Sequence, residues 1–258
     1  MRNLLGGNII NPLAPGLPSG GGGGFDFADP ALGASLILDF TDQSQKTIVD
    51  QSGTGGSATA VSAMANKAGG GGANAGTIAQ ASTNVINFCV DDLPNQRTNF
   101  GVLTSNDRQH FDLSVMESYA GDFTFIWEGL LLSYSSCRAV AQLNDFLISF
   151  VDTNNMQLKF GVGIAANQVN HGLGIPVNTR FNLLIKRVGT NFTFILNNGT
   201  PFVFDAGAIP EMANTFEYNI IGDDASAWLG WMKMMVAKNG TFTAQQESDL
   251  ITNMMALP

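Results

Sequence analysis

The sequence predicts an all-β fold of the sandwich or jelly-roll type, and three observations carry that prediction. From Asn84 onward, short apolar runs recur at roughly ten-residue spacing with Asn, Gly or Asp between them, the pattern of strands joined by turns. The stretch "DFTFIWEGLLLS" places Phe123, Phe125 and Trp127 on one face and Thr124, Ile126 and Glu128 on the other, the period of two that a strand imposes. Helical periodicity of any length is confined to "TFTAQQESDLITNMMALP" near the carboxy terminus. A chain of 258 residues that is 45% hydrophobic and 13% charged buries a proper core, as one large or two small globular domains.

The elements follow in order. Residues 1–30 form a Pro/Gly-rich extended arm, because "NPLAPGLPSGGGGGFDF" contains five consecutive glycines that have no side chains to bury and lose the most backbone entropy on ordering. Such an arm orders on a partner, with Leu4, Leu5, Ile9, Ile10 and Leu13 as apolar anchors. Residues 31–258 form the domain. "SLILDF" opens it as a short strand, and a small, polar, turn-rich stretch follows, in which a strand or two with long loops are expected. The string Gly69 to Gly72 is a loop with nothing of the GxxxxGK[ST] phosphate cradle around it. "VINFCV", "DFTFIWEGLLLS", "DFLISFVD", "MQLKFGVGI", "TRFNLLIKRVG", "NFTFILNNGTPFVFD", "YNIIGDD" and "WLGWMKMMVAKNG" are the strands beyond Asn84. Asn197-Asn198-Gly199-Thr200 joins two apolar runs as a hairpin, since Asn and Gly tolerate positive φ. At the end, Thr243 and Gln246 have the spacing of a capping box, and Leu250, Ile251, Met254 and Met255 fall on one side of a short docked helix.

Composition narrows function. The net charge of −9 comes from 21 acidic and 12 basic residues, and the basic ones are scattered apart from Lys186-Arg187. Nucleic acid and anionic membrane are therefore excluded as partners, because phosphate binding needs clustered cations. The amino-terminal apolar stretch is broken by Gly6-Gly7 and Asn8, unlike a signal peptide, which predicts synthesis in the cytoplasm. Cys89 and Cys137 fit no zinc spacing and read as two free thiols in preference to a disulfide. Without a secretory signal, the Asn-Gly pairs of Asn198-Gly-Thr200 and Asn239-Gly-Thr241 read as turns and not as glycosylation sites. His110 and His171 lack neighbouring ligands, and no GxSxG nucleophile motif occurs.

A family resemblance rests on the order of the later elements. "FTFIWEGLLL", then "RFNLLIKRVGTNFTFILNNGTPFVF" with a turn at Asn198-Gly199, then "IIGDDASAWLGWMKMMVAKNGTFTAQQESDLITNM" resembles the concanavalin A-like, laminin-G-like jelly rolls. Upstream, "ILDFTDQSQKTIVDQSGTGGSATAVSAMANKAGGGGANAG", with its turn at Asp50-Gln51-Ser52-Gly53, is similar to the opening of such domains in tailed-bacteriophage proteins. The resemblance implies a phage virion accessory protein, a capsid decoration or head-fibre protein held by the arm. Its partners would be other phage structural proteins, such as the major capsid protein or an appendage hub, with further copies of itself on the particle. The alternative it implies is a tail fibre or appendage protein that binds host-surface glycan through the jelly roll. Trp228 and Trp231 would supply the stacking platform with Tyr134 beside them; positions three apart on a strand face opposite sides, so one tryptophan points outward.

Some jelly rolls of this kind are glycoside hydrolases with a Glu-x-Asp-x-Glu triplet. Glu117, Glu128, Glu211, Glu217 and Glu247 are the only glutamates and none lies in such a triplet, so no catalytic residue is assigned and the chain is expected not to be an enzyme. No cofactor is expected. Asp223-Asp224 would be the calcium candidates in a loop of this fold, with the turn reading preferred.

Overall fold

The computed structural model describes residues 25–39, 46–49, 58–64, 66–68, 76–80, 86–89, 98–99, 109–112, 121–131, 133–134, 137–142, 146–160, 167–207, 218–220 and 230–256. After a 3-10 turn at Pro30–Leu32, the first half carries β1 (Leu36–Asp39), β2 (Lys46–Val49), β3 (Ala58–Met64), β4 (Gly76–Gln80), β5 (Ile86–Cys89), β6 (Thr98–Asn99), β7 (Gln109–Asp112) and β8 (Phe123–Leu131). The second half carries β9 (Cys137–Gln142), β10 (Phe146–Phe150), β11 (Asn155–Phe160), β12 (Asn167–Asn170), β13 (Arg180–Val188), β14 (Asn191–Leu196), β15 (Phe202–Asp205), β16 (Tyr218–Ile220), β17 (Gly230–Asn239) and the helix α1 (Ala244–Ala256).

Every described pairing is antiparallel. One layer runs β15, β14, β13, β8, β17, β1. The other runs β12, β11, β10, β9, β16, β7, β4, β3. β2 and β5 also pair with β3, and β5 with β6, which joins β17. Alternation fixes what lies between the layers. Leu38, Met235, Trp127 and Leu183 form one inward row across β1, β17, β8 and β13; Leu36, Ala237, Phe125 and Ile185 form the next. These meet Ile148 and Phe150 of β10 and Met156 and Leu158 of β11 in the inner core.

The first layer is covered on its other face too. Ile37, Val236, Ile126 and Leu184 point outward on the same four strands and pack with Leu250, Ile251 and Met254 of α1, together with Leu32 and Phe242. Phe25 and Phe27 add to this outer core. A sheet buried on both faces explains why β8 is almost entirely buried despite its polar-apolar alternation.

Polar side chains on the outward face tie the helix down. The Arg180 guanidinium donates from Nε to Glu128 Oε1 and from Nη2 to the carbonyls of Met254 and Met255, both at 3.2 Å. Asn182 Nδ2 donates to the Ile251 carbonyl at 3.1 Å, and Lys186 Nζ meets Glu247 Oε1 and Oε2 at 2.8 and 2.9 Å. The last turn of α1 has no basic residue of its own, so Arg180 brings the positive charge that the carboxy-terminal carbonyls favour. At the other end the expected capping box is present: Gln246 N–H donates to Thr243 Oγ1 at 3.2 Å, and Thr243 N–H to Gln246 Oε1 at 3.0 Å.

The β14–β15 hairpin forms where the sequence places it, one residue out of step with the Asn-Gly pair. Asn197 and Asn198 take the positive φ values, 48° and 57°, and Gly199 N–H donates to the Leu196 carbonyl at 2.7 Å. Gly199 is required for a different reason, because a Cβ there would lie 2.8 Å from that same carbonyl oxygen.

Candidate functional site

The hairpin and the segment after β12 meet at one end of the sandwich and leave a cleft of about 340 Å³ between them. Its walls are His171, Gly172 and Leu173 on one side and Leu196, Gly199, Thr200, Pro201 and Phe202 on the other. The volume is that of a small-ligand site. The lining is about evenly polar and apolar, its polar part coming from an imidazole, a hydroxyl and exposed glycine backbone.

The first wall is built by a turn behind it. Asp152 Oδ1 accepts from the N–H groups of Asn154 and Asn155 at 2.8 and 2.9 Å, folding the chain between β10 and β11 into an Asx turn. That turn presents the Asn154 carbonyl to His171 N–H at 2.7 Å, its Oδ1 to Gly174 N–H at 3.1 Å, and the Thr153 carbonyl to Ile175 N–H at 2.9 Å. Tyr134 completes the support by donating its hydroxyl to the Ile175 carbonyl.

His171 is 5% exposed, with its ring edge-on to Phe150 and Phe202 at centroid distances of 5.8 and 6.3 Å. Leu173 N–H donates to its Nδ1 at 3.1 Å, so the neutral ring carries its proton on Nε2. That Nε2 is buried and makes no hydrogen bond. Burial pushes the His171 pKa down, opposed by the nearby Asp152 carboxylate. A folded-state value below the unfolded one means that the unfolded chain takes up the proton first. This group's contribution to stability is therefore complete above about pH 6.5 and is lost as pH falls from there toward the lower folded-state value. Urea midpoints measured across that interval are expected to fall with pH, and less steeply in His171→Gln. Asp152, held below the usual carboxylate range by the Asn154 N–H and the Asn155 side chain, acts in a separate and more acidic window.

The residues singled out from the sequence are dispersed. Tyr134 packs against the inner core and holds the cleft's supporting segment without lining the cleft. Trp231 lies in β17 opposite Leu130 of β8 and Asn99 of β6. Trp228, Asp223 and Asp224 lie outside the described residues, as do Leu4, Leu5, Ile9, Ile10 and Leu13 of the arm. Cys89 stands opposite Ala58 on β3, and Cys137 opposite Phe150 on β10. Among the described residues no three His, Cys, Asp or Glu converge as a metal site. The cleft was missed by sequence reasoning; its one local signal is the glycine-flanked histidine of "NHGLG".

The architecture is that of a jelly-roll β-sandwich with one short carboxy-terminal helix. No family model matches the chain, and no curated protein matches it. Among solved structures, the fold is similar to Trypanosoma rangeli sialidase in complex with 2-keto-3-deoxy-D-glycero-D-galacto-2,3-difluoro-nononic acid, with a TM-score of 0.52 and 10% identity over 96% of this chain and 36% of that one. A mutant of Trypanosoma rangeli sialidase displaying trans-sialidase activity gives a TM-score of 0.53 and 9% identity over 89% of this chain and 34% of that one. The chain thus spans about a third of the length of the sialidase chains it matches.

These matches correct the expectation that the chain is not an enzyme. The fold is one that sialidases, which are enzymes, contain.

Proposed function

We propose that this chain is a saccharide-recognition β-sandwich whose ligand site is the cleft between the His171 segment and the β14–β15 hairpin. The observation that carries the reading is the lining of that cleft. The rings of Phe202 and Pro201 suit the C–H face of a sugar ring, and the Thr200 hydroxyl and the carbonyls of Gly172 and Gly199, whose N–H groups are already bonded to Asn154 and Leu196, suit its hydroxyl groups. Of the two placements implied by the phage resemblance, capsid decoration and a glycan-binding appendage, the cleft favours the appendage; the attaching arm, expected over residues 1–30, is then the part before Phe25, because Phe25 and Phe27 belong to the outer core.

Phe202→Leu keeps an apolar side chain against the inner core and removes the aromatic face. It is expected to weaken binding to the best ligand on a glycan array about tenfold, equivalent to about 1.4 kcal/mol. Full affinity in the variant would exclude this cleft as the site.

A further inference from the structure

We infer that the cleft selects an uncharged sugar and discriminates against sialic acids, an inference that rests on the saccharide-binding reading and specifies its ligand. Among the described residues, no charged side chain lines the cleft. The titratable group among the described residues of its wall is His171, whose buried imidazole is held neutral at physiological pH by desolvation. Behind it lies the Asp152 carboxylate, kept ionised by the Asn154 N–H and the Asn155 side chain, so the fixed charge next to the cleft is negative.

The cation nearest in register to the hairpin turn is Arg180, two positions from Asn182, whose carbonyl accepts from Asn197 N–H at 3.0 Å. Arg180 is turned to the outer face, bound to Glu128 and to the Met254 and Met255 carbonyls, and does not line the cleft. A sialic acid carboxylate entering here would lose water without gaining a cationic partner, and would feel both Asp152 and the net charge of −9. The groups that are present, the Thr200 hydroxyl, the carbonyls of Gly172 and Gly199, and the apolar side chains of Pro201 and Phe202, match a neutral pyranose.

The test is binding of the intact chain to a panel of neutral oligosaccharides and to the same oligosaccharides capped with sialic acid, at low and at physiological salt. Resonances of residues 171–173 and 199–202 would locate the ligand. Neutral members are expected to bind at the cleft at least about tenfold more tightly than their capped counterparts. Thr200→Lys, at an exposed turn position, is expected to narrow that ratio at low salt and less so at high salt. Capped sugars binding at the cleft as tightly as neutral ones would overturn the inference and leave the saccharide reading standing. If no sugar of either kind perturbs the cleft residues, the saccharide reading fails and the inference with it.

Discussion

Leu250→Asp is expected to lower stability by about 4 kcal/mol or more and the melting temperature by roughly 10 °C. Leu250 is fully buried in the outer core with Ile126, Leu184 and Val236. Its removal forfeits the apolar contact, and the carboxylate that replaces it enters an apolar layer. The cations nearby in the helix-sheet contact are already engaged, Lys186 by Glu247 and Arg180 by Glu128. Thermal unfolding followed by circular dichroism reads the effect directly. An unchanged melting temperature would mean that α1 does not cover the sheet in solution.

Arg180→Ala is the second large effect and works through charge. Glu128 is wholly buried, with Oε1 held by Arg180 and Oε2 making no hydrogen bond. Truncating Arg180 leaves a buried carboxylate with neither oxygen paired and frees two helix carbonyls. The expected cost is about 3 kcal/mol, the lower end of the range for breaking a buried pair, because the Arg180 side chain is 29% exposed and partly screened by water. Adding Glu128→Gln to the variant is expected to restore part of that loss, since the amide is neutral. Urea midpoints of the two single variants and the double variant test this, and an Arg180→Ala protein within about 0.5 kcal/mol of the parent would refute it.

What the sequence made legible was local. The faces of β8 follow from the alternation of Phe123, Phe125 and Trp127; the capping box follows from Thr243 and Gln246; the buried side of α1 follows from Leu250, Ile251 and Met254. Each depends on neighbours within a few residues. "CRAVAQ" and "NQVN" become β9 and β12 although they carry little apolar pattern, because partners on adjacent strands supply their hydrogen bonds. Glu128 reads as a solvent-facing position until α1 and Arg180, 52 residues further along the chain, are placed over it. The cleft was illegible for the same reason. Its two walls are distant in sequence, and each alone is a run of ordinary turn residues.

The pairing of β1 with β17 has a consequence for the order of assembly. Ser35 Oγ donates to the carbonyl of Ala237, 202 positions away, and among the described residues Leu36, Ile37 and Leu38 find their strand partners in residues 235–237. During translation Asn66 and Lys67, which bond the other edge of this strand at Ile37, follow soon after it, but its strand partner arrives only when nearly the whole domain has been made. Closing so long a loop costs entropy ahead of the contacts that offset it, which makes collapse slow and leaves early apolar segments open to wrong partners. An elongation pause placed before Gly230 is therefore expected to lengthen the interval in which residues 36–38 lack that strand.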